Sequence, residues 1–229
     1  MTTKIQADQV SGATPIDPSV AGCVLLLDAG NITAVDGDAI GTWADASASG
    51  NDATQATAGL KPTYRENVFN GKPALWFGNA NVMDLATHIN LTASTIFIVF
   101  NSLYKTGFGT LLLSEQYGFY AQILGRSNWG IYTSTSASGD GGTSQGSNPI
   151  IAGVAHTATS DFATYHNGQK IVHVKNASSQ YGATSKVGYD GSNYHYGFIA
   201  EIRVFNTVLS DVNRKLYEEY FSLKYGIGL

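Results

Sequence analysis

The run Ile199-Ala200-Glu201-Ile202-Arg203-Val204-Phe205-Asn206-Thr207-Val208-Leu209-Ser210-Asp211 carries the strongest structural signal in the chain. Its first seven residues are rich in side chains that suit a pleated surface. Ile199, Glu201, Arg203 and Phe205 alternate against Ala200, Ile202 and Val204, the period of a strand with one buried face. Glu201 and Arg203 are expected to pair on one face. Ser210 then supplies an N-cap oxygen, and Asp211 places a carboxylate at the positive end of a helix. Asn213 stands where a full capping box needs Glu or Gln. Val212, Leu216, Tyr220 and Leu223 fall at helical spacing and mark the expected apolar positions. Lys224 suits the last turn, and Gly226 can end it.

Upstream, short β-rich runs alternate with Gly, Asn and Ser turn signals. The expected strands are 24–27, 73–77, 95–101, 110–114, 118–123, 129–133, 150–156, 161–166, 169–174 and 197–205. Many short strands with such turns suit a sandwich or barrel. Asn167-Gly168 predicts a hairpin, because a type I′ turn needs positive φ at both central residues and Asn-Gly supplies it cheaply. Alternation then puts Phe162, Thr164 and His166 on one face and Ala163 and Tyr165 on the other. Residues 134–148 read as a long loop of small residues.

The bulk numbers agree with a single folded unit. The chain has 229 residues, 43% hydrophobic and 11% aromatic, which is enough for a core. Charged residues make up 13%, and the net charge is −4. No Lys/Arg run exists, so the electrostatic footprints of a nucleic-acid binder and of a polybasic membrane patch are both missing. Cys23 is the single cysteine, which rules out an intramolecular disulfide, and its apolar run predicts a buried thiol. The first residues lack an apolar signal core. Thr14-Pro15-Ile16-Asp17-Pro18 favours extended backbone. Residues 1–22 are therefore expected to form an extended N-terminal arm, and residues 23–229 the folded domain.

Three patterns, in this order, resemble the laminin-G-like domains of the concanavalin A-like lectin/glucanase superfamily. Trp43-Ala44-Asp45-Ala46-Ser47-Ala48-Ser49-Gly50-Asn51 is similar to its W-x-D-x-S-G-x-G-N stretch, with Ala48 in place of the first Gly. Asn70-Gly71-Lys72-Pro73-Ala74-Leu75-Trp76-Phe77 is similar to its N-G-K-P-A-x-x-F segment, and 199–211 to its closing strand and helix start. The Tyr165-His166-Asn167-Gly168 hairpin also resembles a common family element. The resemblance implies an all-β jelly-roll sandwich of two antiparallel sheets with one short C-terminal helix. Trp43 and Trp76 then read as core or edge-packing aromatics. The arm segment 4–12 is similar to short N-terminal segments of phage tail-fibre and virion-attachment proteins.

Glucanases of this superfamily carry paired carboxylates on one strand, the arrangement that glycoside hydrolysis needs. No such spacing occurs here. Glu218 and Glu219 are adjacent on the expected helix and read as solvated surface charge. Histidines 88, 156, 166, 173 and 195 are scattered; His166 and His173 flank the hairpin turn, where they read as exposed strand histidines, with a metal pair as the alternative. The chain is therefore expected not to be an enzyme. Related domains hold Ca²⁺ on loop oxygens. Asp45, Asn51 and Asp52 form one candidate calcium cluster, and Asp36-Gly37-Asp38 another, although Asp and Asn also start turns by bonding their own backbone.

Glycan recognition needs aromatic faces beside amides and carboxylates. Tyr189, Asp190, Asn193, Tyr194 and Tyr196 offer that set in one expected loop. Arg126, Asn128 and Trp129 offer a second. The expectation is a non-catalytic virion structural or attachment protein, exposed for host-surface glycan adhesion or particle decoration and docked to other virion proteins through 1–22. The alternatives are a free bacterial carbohydrate-binding module or surface lectin, extracellular or at the cell surface, and a glycoside hydrolase. No coiled-coil seam marks an oligomer, and a homo-oligomer stays open.

Overall fold

The computed structural model describes residues 17–19, 21–78, 80–90, 93–103, 109–110, 112–114, 120–123, 128–132, 138–143, 148–156, 162–174, 183–189 and 194–229. In chain order its strands are β1 (Cys23–Asp28), β2 (Thr42–Trp43), β3 (Ala53–Thr54), β4 (Thr63–Phe69), β5 (Lys72–Phe77), β6 (Met83–Asn90), β7 (Ser94–Phe100), β8 (Gly109–Thr110) and β9 (Leu112–Ser114). Then come β10 (Tyr120–Ile123), β11 (Asn128–Tyr132), β12 (Ser138–Thr143), β13 (Ile150–His156), β14 (Phe162–His166), β15 (Gln169–Val174), β16 (Ala183–Val187), β17 (Gly197–Phe205) and the helix α1 (Asp211–Tyr225). Residues 1–16 of the expected arm lie outside the described residues.

One sheet runs β15-β14-β13-β7-β17-β5-β4, and β1 pairs with the half of β17 that β5 leaves open. The other layer consists of the ladders β12-β11-β10-β8 and β2-β3-β6-β16-β9. β8 and β9 lie one residue apart in the chain and join them. All these pairings are antiparallel, so the protein is all-β, a jelly-roll-type sandwich of two antiparallel sheets with a single C-terminal helix.

Apolar side chains from the two layers meet in one core. Leu25, Leu27, Phe77, Ile96, Ile98, Phe100, Ile202 and Val204 come from the first sheet, and Trp43, Met83, Leu85 and Val187 from the second. The back of the first sheet is covered too. There Phe97, Val99, Ala200 and Phe205 pack under Tyr217, Tyr220, Phe221 and Tyr225 of α1. β7 is consequently buried at every position. Its sequence Ser94-Thr95-Ile96-Phe97-Ile98-Val99-Phe100 reads as the near-continuous apolar run that a doubly covered strand requires.

The alternation expected over 199–205 is broken by a β-bulge. Register shifts between Ile199 and Glu201, leaving Ala200 as an extra residue on β17. The bulge changes the phase. Ile199 therefore joins Ile202 and Val204 in the inter-sheet core, while Ala200 joins Phe205 beneath the helix. Both faces of this strand are buried, not one.

The helix begins and ends where its sequence signals say. Ser210 accepts a hydrogen bond from Asn213 N–H, and Gly226 adopts a left-handed conformation with φ 66°. Its buried face differs from the expectation. Val212, Leu216 and Leu223 are 69%, 43% and 55% exposed, and of the four marked positions Tyr220 alone is buried. The inward face is Arg214, Tyr217, Glu218, Tyr220, Phe221 and Tyr225. Each tyrosine or phenylalanine ring covers more area than a valine or leucine, so the aromatic stripe takes the sheet side.

Glu218 is likewise not solvated: it is 2% exposed and ion-paired with Arg214 one turn earlier. Arg214 in turn lies 3.9 Å over the Tyr165 ring. Asn167 (φ 47°) and Gly168 (φ 79°) form the expected hairpin turn, and Asn167 Oδ1 accepts from Ile151 N–H at 2.9 Å. Asn70 (φ 49°) and Gly71 (φ 73°) close a second such hairpin between β4 and β5. Residues 138–143 of the expected long loop are strand β12, paired with β11. Backbone pairing there outweighs a composition depleted in strand formers. Cys23 is half-buried, not buried. Loss of solvent pushes its thiol up to about 11, against the opposing Arg203 charge.

Candidate functional site

The loop between β16 and β17 is held by two features. Gly188 has φ 86°, and a Cβ there would overlap the Phe77 ring, so glycine is required. His195 N–H then donates to Gly188 O at 2.7 Å. Between them, Tyr189 and Tyr194 form a β-bridge, and their rings stack with centroids 4.2 Å apart and planes 18° from parallel. Both are half-buried. Tyr196 follows, edge-on to Trp76 at 5.0 Å. Trp76 leans in turn on Phe198 at 4.9 Å. The chain thus presents partly exposed aromatic rings at this end of β17.

His195 anchors the loop from below. It is fully buried and sits between the Phe77 and Phe100 rings. Burial pushes its imidazole down to about 3, and the backbones of Asn101 and Phe198 offset only part of that shift. Neither ring nitrogen makes a hydrogen bond of normal geometry. His195 is therefore neutral, and its ring packs as an apolar wedge.

Of the first glycan set, Tyr189 and Tyr194 are brought together, Tyr196 packs on Trp76, and Asp190 and Asn193 lie outside the described residues. Of the second, Arg126 also lies outside them, and Asn128 and Trp129 open β11 with Asn128 opposite Thr143. His166 and His173 do not face each other: His166 pairs with Gln169, and His173 with Ala163.

The calcium candidates are held in a hydrogen-bonded turn. Asp45 Oδ1 accepts from Leu26 N–H and Ser47 N–H, and Oδ2 accepts from the Ser47 hydroxyl and Asn51 N–H, each at 2.8 Å. Asp52 Oδ1 accepts from Asp45 N–H at 2.8 Å. The Asn51 amide bonds both backbone groups of Thr87. These residues staple the 43–54 turn onto β1 and β6. Asp36 accepts from Arg65 and from Glu66 N–H, and Asp38 from Val35 N–H. Among the described residues, no group of three or more His, Cys, Asp or Glu is arranged to hold a metal ion. Among them also, no helix is long and apolar enough to cross a membrane.

Charge that the sequence did not place lies under α1. Glu201 and Arg203 pair as expected, with Nε 2.5 Å from Oε1. Lys224 Nζ and the Tyr225 hydroxyl also reach Glu201, each at 2.8 Å from Oε2. Arg203 extends to Asp17 at 2.8 Å, so the described end of the arm lies against the domain.

No family model matches the chain, and no curated protein matches it. Solved structures do. Domain 4 of AbnA, a GH43 extracellular arabinanase from Geobacillus stearothermophilus, solved in complex with arabinotriose, matches with TM-score 0.62 and 12% identity. The match covers 85% of this chain and 97% of that one. Trypanosoma rangeli sialidase matches with TM-score 0.57 and 14% identity over 93% of this chain and 36% of its own. The botulinum neurotoxin serotype D binding domain matches with TM-score 0.59 and 13% identity, over 86% and 51%. The chain therefore spans about a third of the sialidase and half of the neurotoxin domain.

This is a lectin-like β-sandwich fold. At such identities the likeness speaks for the fold and for no particular activity. It nevertheless overturns the expectation that the chain is not an enzyme. The same fold is part of chains that are sialidases, so neither the fold nor the missing acid-pair spacing excludes catalysis. Nothing in these likenesses is specific to phage fibres.

Proposed function

We propose that this protein is a glycan-binding attachment module, displayed on a particle surface such as a virion and docked through residues 1–22. The stacked pair Tyr189–Tyr194 beside Tyr196 and Trp76 carries the reading. Half-exposed aromatic faces are what the apolar face of a sugar ring stacks on. The polar composition of the arm and its two prolines support docking, because they favour extended backbone that a partner can bind.

A glycan array tests the binding role. The intact chain binds at least one glycan, and Tyr194→Ala weakens that binding at least about tenfold, the loss of about 1.4 kcal/mol. Absence of binding across the array sinks it. Deleting residues 1–22 tests the docking role. The truncated chain folds and no longer incorporates into particles, and normal incorporation sinks that half.

One observation favours a second reading, a carbohydrate-binding module of an extracellular or cell-surface protein. The chain spans 97% of an arabinanase domain solved with arabinotriose. Binding of arabinotriose by the isolated chain, with no particle association, selects it. Turnover of an oligosaccharide by the intact chain selects a glycoside hydrolase instead.

A further inference from the structure

A groove of about 360 Å³ is lined by residues of β4 and by Asn101 and Phe198, and its Phe198 ring lies 4.9 Å from Trp76 of the loop cluster. A double irregularity in the edge strand opens it. Arg65 pairs with Ala74 and Phe69 with Lys72, so four steps along β4 match two along β5, and the intervening residues bulge outward. Asn67 in that bulge holds φ 53°, the left-handed conformation that asparagine tolerates better than most residues with a side chain. Such bulges often re-aim side chains at functional sites.

The bulge is braced. Asp36 accepts from Glu66 N–H at 3.0 Å and from Arg65 Nη1 at 2.9 Å. The facing wall is Phe198, half-buried, edge-on to Phe69 at 6.1 Å and fixed by two hydrogen bonds with Asn101. The groove thus joins an aromatic wall to a rim carrying one exposed amide and one internally paired Asp–Arg couple. Arg65 and Asp36 neutralise each other, and Glu66 leaves the rim negative.

We propose that this groove is a second saccharide subsite, taking one uncharged sugar residue. The Phe198 ring packs its apolar face, while Asn67 and the Asp36–Arg65 couple bond its hydroxyls. Glu66 disfavours an acidic sugar. The ligand class rests on the glycan-binding reading; the groove contains none of Tyr189, Tyr194, Tyr196 and Trp76, although its Phe198 touches Trp76.

The test is an amide-resolved NMR titration of the intact chain with arabinotriose, cellotriose and maltotriose, and separately with 3′-sialyllactose. At least one neutral trisaccharide shifts the amides of Glu66, Asn67, Asn101 and Phe198, and 3′-sialyllactose does not. Asn67→Gly relaxes the backbone while removing the amide, and it weakens the groove titration about tenfold. Asp36→Asn, which keeps an acceptor for Glu66, weakens it less. Tyr194→Ala leaves the groove shifts intact. If trisaccharides move only the 189–196 amides, the groove proposal fails and the loop reading stands. If groove shifts appear while the loop amides never move, the loop reading fails and the groove stands. If no trisaccharide shifts any amide, both fail. Undiminished groove binding in Asn67→Gly, or 3′-sialyllactose binding there, also overturns the proposal.

Discussion

Asp28 and Glu201 lie directly opposite one another in the β1–β17 ladder, and a single ammonium closes on both. Lys224 Nζ sits 2.5 Å from Asp28 Oδ2 and 2.8 Å from Glu201 Oε2. Burial works to lower the lysine, but Glu201 and then Asp28 outweigh it and hold its pKa above the ordinary value. The two facing carboxylates are neutralised by a cation from α1. They act as the latch between helix and sheet.

Lys224→Met should therefore destabilise the fold by roughly 3–5 kcal/mol at neutral pH, because it strips Asp28 of its buried ion partner and leaves Glu201 with Arg203 alone. Urea midpoints measure it. A loss under about 1 kcal/mol, the range of an exposed pair, removes the latch.

His195 makes wild-type stability fall with acid. The unfolded chain protonates this histidine near 6.5, the folded chain near 3. Between those values the unfolded state binds more protons, so stability present above 6.5 is lost progressively toward 3, on the order of 5 kcal/mol in total. His195→Leu keeps the apolar packing and should flatten that limb. Equal pH slopes for both proteins in thermal melts from pH 4 to 7 refute this.

The two faces of α1 should respond oppositely. Leu216→Ser changes an exposed position and should shift stability by no more than about 0.5 kcal/mol. Phe221→Ala empties the aromatic layer on the sheet and should cost about 3–5 kcal/mol. Denaturant curves decide, and equal costs would mean the outer face is covered in solution.

Asp45→Ala should destabilise by several kcal/mol through four lost hydrogen bonds, each worth about 1 kcal/mol net. Adding EDTA to the wild type should leave its Tm unchanged. A chelator-induced drop in Tm would assign calcium to the 45–52 turn.

What could be read along the chain was what is local. The Ser210 cap, the Gly226 stop, the Asn167-Gly168 turn and the apolar run at 94–100 each state their structure through neighbouring residues. Asn70-Gly71 carries the same hairpin signal as Asn167-Gly168, and Ile96-Phe97-Ile98-Val99 signals burial on two faces. The loop tyrosines were also legible, by composition alone.

Non-local features were decided by packing. Ala200 is an ordinary strand residue until β7 and β1 set a register that leaves it unpaired. Val212 and Leu216 are apolar and periodic, yet the sheet accepts the bulkier Tyr217 and Phe221. Glu218 looks like surface charge until Arg214 and Tyr165 close over it. The sequence determined the kind of fold because turn, cap and period are short-range properties of the backbone. The tertiary structure decided which side chains meet, because bulges, helix roll and charge pairing depend on residues tens to hundreds of positions apart.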